Sequence, residues 1–127
     1  MRESRVVPGV EHGSNPIPSV VRVGEWVYTS AIGGRDPANG QVIPEPHAQV
    51  EQTFRNLRAA LEAAGATLDH VVKVDVWLAD MSLRGRLNEE WKKYFPDLNH
   101  CPVRHTMSAQ LPEGMQIQIQ AVAIVRE

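Results

Sequence analysis

Arg104 is the residue whose surroundings ask most plainly for chemistry. It follows Cys101-Pro102-Val103 in an apolar, strand-like stretch, where a permanent positive charge needs a partner. A planar guanidinium grips a carboxylate through two parallel hydrogen bonds, so a visiting acid can stand in for an internal one. The competing explanation is an ordinary ion pair with a nearby Asp or Glu. Strand alternation puts Thr106 on the side of Arg104 and sends His105 to the opposite face.

Gln118 shares one side of the last strand with Gln116 and Gln120. An amide can hold a water molecule or bond across strands, but it takes no proton at neutral pH as a carboxylate does. Ser30, at a strand end beside Ala31, can donate to a ligand or satisfy its own turn. Asn88 sits mid-helix, where asparagine is locally unfavourable and asks for a reason; exposure to solvent is the simplest. His100, Cys101 and His105 lack a fourth ligand and any zinc spacing, so no metal site is expected. Cys101 reads as a small buried hydrophobe. His12, His47 and His70 lie among polar or turn residues and read as solvated surface histidines. Gly33-Gly34 is followed by neither a Lys-Ser/Thr pair nor a helix, so it is no phosphate loop.

The elements that must position these residues are legible in outline. Val20 to Val23 and Trp26 to Ile32 read as a hairpin across Gly24-Glu25, followed by a surface loop at Gly33 to Gly40. Val50, Phe54, Leu57, Leu61 and Ala64 mark a helix over 46–64, closed by Gly65. Alternation from Val71 to Leu78 puts Val72, Val74, Val76 and Leu78 on the core side. Asp80 caps a second helix with a stripe at Leu83, Leu87, Trp91 and Tyr94. Strands at Val103 to Ala109 and Met115 to Arg126 read as a second hairpin, turned at Pro112 and Gly114. The order predicts an α+β fold, one mixed sheet with both helices on one face. Trp77, Val122 and Ile124 then crowd the free face, which predicts burial against further copies of the chain.

Composition narrows the partners. The 127 residues suit one domain, 1–127, and the formal charge of −2 offers no general attraction to nucleic acid. One cysteine, no apolar leader and no spanning run point to the cytoplasm and away from membranes.

Three stretches carry a family likeness: Val71-Val72-Lys73-Val74-Asp75-Val76-Trp77-Leu78-Ala79-Asp80-Met81, then Asn88-Glu89-Glu90-Trp91 with Tyr94-Phe95, and Cys101-Pro102-Val103-Arg104. Together with Arg22-Val23-Gly24, Thr29-Ser30, Leu111-Pro112 and Ile119-Gln120-Ala121-Val122-Ala123, the chain resembles the RidA/YjgF family of imine deaminases from about Pro16 onward. The resemblance implies a chorismate-mutase-like fold, a homotrimer whose sheets line a central barrel, and three sites in the clefts between subunits. It implies cofactor-free hydrolysis of enamine and imine acids, such as 2-aminoacrylate, to a keto acid and ammonia. By position, Arg104 falls on the carboxylate clamp, and Ser30 and Asn88 at or beside that pocket. Thr106 replaces a cysteine found in many members, and Gln118 replaces the glutamate that orients the attacking water. Ile17 stands where many have tyrosine, Ala31 where glycine is usual, and the stretch from Arg104 to Leu111 is one residue short. These departures imply a remodelled pocket that suits a different imine or enamine acid. A metabolite-binding module of the same fold is the alternative, and an endoribonuclease or translation inhibitor, an older family label, ranks last.

Overall fold

Both periodicities are realised in the computed structural model, which describes residues 1–126. The strands are β1 (Glu3–Arg5), β2 (Val20–Val23), β3 (Trp26–Thr29), β4 (Val71–Leu78), β5 (Val103–Ser108) and β6 (Ile117–Ile124), with helices α1 (Pro46–Ala63) and α2 (Arg84–Tyr94). They form one six-stranded sheet in the order β1-β2-β3-β6-β4-β5. Every pairing is antiparallel except that of β4 with β5.

The helix periodicity comes out as expected. Val50, Phe54, Leu57 and Leu61 are fully buried, and the turn ends at Gly65, whose φ of +78° costs a glycine little. At its start Pro46 occupies the first helical turn, and the Glu45 carboxylate accepts from the backbone N–H of His47 and Ala48. Asp80 caps a short 3-10 turn, Met81–Leu83, that leads into α2 rather than capping α2 itself. Leu83 and Leu87 are buried, and Tyr94 stacks on Phe54 with ring centroids 5.4 Å apart.

Two further expectations are corrected, and one strand is added. The last two strands form no hairpin: β6 lies between β3 and β4, while β5 runs parallel to β4 at the sheet edge. The segment joining them crosses the end of β4, where Ala109 N–H donates to the Leu78 carbonyl and Ala79 N–H to the Gln116 carbonyl. Burial explains the order. Ile117, Ile119, Ala121 and Ala123 of β6 need a central position under the helices, whereas the more polar β5 tolerates an edge. The second correction is a bulge between Val71 and Lys73, which turns Val71 inward and leaves Val72 42 % exposed. The added strand is β1, whose Glu-Ser-Arg sequence carries no strand signal and which the β2 edge recruits.

The face away from the helices carries the expected apolar surface. Trp26 and Tyr28 on β3 lie beside Ile124 and Val122 on β6, and Trp77 pairs with Gln118 further along. Trp26 and Tyr28 are each 46 % exposed and Val103 67 %.

Candidate functional site

Arg104 pairs in register with Val74 and Thr106 with Val76, and both valines are fully buried beneath the helices. Arg104 and Thr106 therefore project to the helix side at the sheet edge, half-buried. There one guanidinium nitrogen of Arg104 donates to Asn88 Oδ1 at 2.8 Å, and the group lies over Trp91, 5.0 Å from the ring centroid. Asn88 thus has a reason to sit mid-helix beyond exposure: its amide oxygen orients the arginine. No Asp or Glu among the described residues pairs with Arg104. Burial, and then the positive charge of Arg84, hold its pKa below the usual arginine value. The result is a half-buried cation with no acid bonded to it among the described residues.

Gln118 takes the other face. It pairs in register with Trp77, which alternates with the inward Val76 and Leu78, so Arg104 and Gln118 point away from opposite sides of one sheet. Gln118 donates through Nε2 to Met115 Sδ at 3.0 Å, and its amide oxygen is available to accept. With Ala31, His12, Arg35 and Met115 it lines a cavity of about 170 Å³. Ile17, 48 % exposed, lines a neighbouring groove of about 190 Å³ together with Ser30 and Tyr28.

The two hollows are joined by a residue that sequence reasoning set aside. His12 is half-buried, not a solvated surface histidine, and its Nε2 lies 2.6 Å from Ser30 Oγ. Burial, reinforced by the Arg35 charge, lowers its pKa from the usual imidazole value, so the ring is neutral at pH 7. No local pattern reveals this contact, because its partners are 18 residues apart, one on a loop and one at a strand end.

Buried polar groups of α1 hold that loop in place. Asn56 donates from Nδ2 to the carbonyls of Gly9, Gly33 and Arg35, at 3.3, 2.9 and 2.9 Å. Gln49 donates to the Ile43 and Gly114 carbonyls and accepts from Gln116 N–H. Gly34 permits the close approach, since a Cβ there would lie 2.5 Å from the Gln49 carbonyl oxygen.

The seven expected residues therefore form two groups in one chain: Arg104, Asn88 and Thr106 on the helix side, and Gln118, Ala31, Ser30 and Ile17 around the two hollows. A wider groove of about 560 Å³ along Ser108 to Gln116 is lined by none of them. His100 is exposed near Asp97, Cys101 Sγ donates to the Phe95 carbonyl at 3.3 Å, and His105 faces away from Arg104.

Comparison with known proteins matches the sequence and the fold to a family. The model of the family described as endoribonuclease L-PSP matches residues 13–125. The 2-iminobutanoate/2-iminopropanoate deaminase of Mus musculus is 37 % identical over 111 residues, covering 86 % of this chain and 81 % of that protein. The crystal structure of RidA from an Antarctic Psychrobacter superposes with a TM-score of 0.87 at 30 % identity, covering 97 % of this chain and 99 % of that one. The YjgF gene product of E. coli gives 0.86 at 26 % identity over 98 % and 99 % of the two chains. The chain belongs to the endoribonuclease L-PSP family, that of the RidA and YjgF proteins.

Proposed function

We propose that this protein hydrolyses small imines or enamines bearing a carboxylate, giving a keto acid and ammonia, at sites formed between copies of the chain in a homotrimer. The observation that carries the reading is Arg104: a half-buried guanidinium oriented by Asn88 and Trp91, with no Asp or Glu among the described residues to neutralise it. A substrate carboxylate fits that vacancy bidentately. The deaminase named among the relatives acts on compounds of this class. Two features support assembly: the apolar outer face with Trp26, Tyr28 and Val103 exposed, and the separation of the Arg104 and Gln118 groups by the sheet.

In this scheme Arg104 fixes the carboxylate, and Asn88 holds the guanidinium. The oxygen of Gln118 orients a water towards the imine carbon, while Thr106, Ala31 and Ile17 shape the remaining walls. The imine carbon is already electrophilic, so orientation in a cleft that excludes bulk water supplies much of what is needed. The amide at Gln118 favours a second reading, a module that binds a keto acid or imine without turning it over. An RNA-cleaving role fits a chain of charge −2 poorly.

The deciding experiment measures ammonia release from freshly generated imines of several amino acids, with wild type, Arg104→Ala and Gln118→Glu. Wild-type turnover, its loss in Arg104→Ala and an increase in Gln118→Glu support the deaminase. Keto-acid binding without turnover of any imine leaves the binding module.

A further inference from the structure

Addition of water to a protonated imine releases a proton, and the carboxamide of Gln118 accepts none at neutral pH. The titratable groups lining its cavity are Glu11, His12 and Arg35. The Arg35 guanidinium offers donors and no acceptor, and one oxygen of Glu11 is already taken by the Gly9 N–H at 2.7 Å. His12 remains, with Nε2 at 2.6 Å from Ser30 Oγ. Ser30 in turn lies 3.1 Å from the Ser19 carbonyl. Its single hydroxyl proton therefore has two acceptors, one for each state of the ring. With imidazole neutral, Ser30 donates to Nε2; with imidazolium, Nε2–H donates to Ser30, whose proton turns to Ser19.

We propose that His12, acting through the Ser30 hydroxyl, receives the proton of the attacking water in place of a carboxylate at position 118. This inference rests on the deaminase reading. Water oxygen bonds to the carbon of the protonated imine as the C=N π pair moves to nitrogen. One water proton passes to Ser30 Oγ while the Ser30 proton passes to His12 Nε2. The imidazolium returns that proton by the same path to the amine nitrogen. The C–N bond then breaks with its electron pair on nitrogen, and the O–H pair of the carbinolamine closes the C=O bond. The hydroxyl proton leaves through Ser30 to His12 and on to solvent. Protonated imine plus water has become keto acid, ammonia and a proton. His12 is thus a relay and positioning residue, with the charged groups Glu11 and Arg35 around it.

The test is the pH profile of kcat/KM for ammonia release from 2-iminopropanoate, with wild type, His12→Gln, Glu11→Gln and the double variant His12→Gln/Gln118→Glu. Because the neutral ring is the competent form, wild-type kcat/KM falls at acid pH, with its limb below the ordinary imidazole value of about 6.5. His12→Gln loses about 100-fold at pH 7.5, the low end for a proton-transfer group, and the limb disappears. Glu11→Gln keeps an acid limb, because the ring and not this carboxylate takes the proton; a limb lost in Glu11→Gln and kept in His12→Gln overturns the assignment. Gln118→Glu in the His12→Gln background restores part of the rate, with a limb in the carboxylate range. Pyruvate binding by calorimetry, unchanged in His12→Gln, separates the relay from a structural role; loss of binding together with rate overturns the relay. An active wild type whose rate and limb survive in His12→Gln overturns this inference alone. A wild type silent on every imine overturns the deaminase reading and the relay with it.

Discussion

Replacing Arg104 by alanine separates a ligand clamp from a structural ion pair, because the two differ in where the energy is lost. In the folded chain the guanidinium makes one side-chain hydrogen bond, to Asn88, and one cation–π contact, to Trp91. The bond contributes about 1 kcal/mol to stability. The stacked cation adds about 0.5–1 kcal/mol. Removal also relieves the burial cost and the repulsion from Arg84, so the net loss is about 1 kcal/mol, a few degrees in Tm for a chain this size. Ligand binding loses much more, because a carboxylate deprived of its desolvated cation costs about 2–5 kcal/mol. At about 1.4 kcal/mol per decade this weakens pyruvate binding roughly 30- to 3,000-fold. Calorimetric titration with pyruvate and a thermal melt read both quantities on the same samples. Wild-type affinity in Arg104→Ala, or a collapse in Tm with binding lost only through unfolding, refutes the clamp.

The remaining predictions concern assembly and acid stability. Equal mixing and reassembly of Arg104→Ala with Gln118→Ala restores about a quarter of the sites if the two residues of each site come from neighbouring chains of a ring, and none if one chain supplies both; ammonia release decides. Glu90, almost fully buried, is bonded to Arg86 at 2.9 Å and Lys93 at 3.0 Å. Burial acts to raise its pKa, and these cations outweigh burial, leaving the folded carboxyl below its ordinary value. Its contribution is therefore complete above the unfolded pKa of about 4.3 and is lost as pH falls through the folded one. Denaturation curves for wild type and Arg86→Met should differ at pH 7 towards the lower end of the about 3–5 kcal/mol of a broken buried pair, since Lys93 remains, and converge as pH falls through the folded pKa.

What the sequence revealed of the fold follows the range of the interactions involved. The α1 stripe and its closing glycine depend on neighbours one turn apart, and they come out where the periodicity places them. The partner of β5 depends instead on which strand most needs a central position, a competition among Val74, Val76, Leu78, Ile117 and Ile119 that no local turn signal records. The bulge at Val72 likewise depends on β6 across the sheet. The site divides in the same way. Arg104 stands out because a charge in an apolar strand is locally anomalous, and alternation correctly places Thr106 with it. Asn88 is locally anomalous too, but only the fold supplies its arginine. His12 carries no anomaly at all, and its meaning resides in a single contact with Ser30.

The division of the site has a physical consequence for how catalysis and assembly are linked. Reacting groups must come within about 3–3.5 Å of their target atoms, whereas Arg104 and Gln118 diverge from opposite faces of the sheet. No three-carbon acid can touch both in one chain. If both residues act on one molecule, the arginine of one copy has to meet the amide of another. In the proposed trimer the exposed Trp26 and Tyr28 serve the chemistry as well as solubility, because burying them between copies accompanies the meeting of the two groups. That no Asp or Glu among the described residues pairs with the half-buried guanidinium makes sense in the same terms. In the proposed trimer, completing the interface withdraws water from Arg104, which strengthens its attraction for a carboxylate but leaves the charge costly until one arrives. An internal Asp or Glu would remove that cost and the affinity along with it.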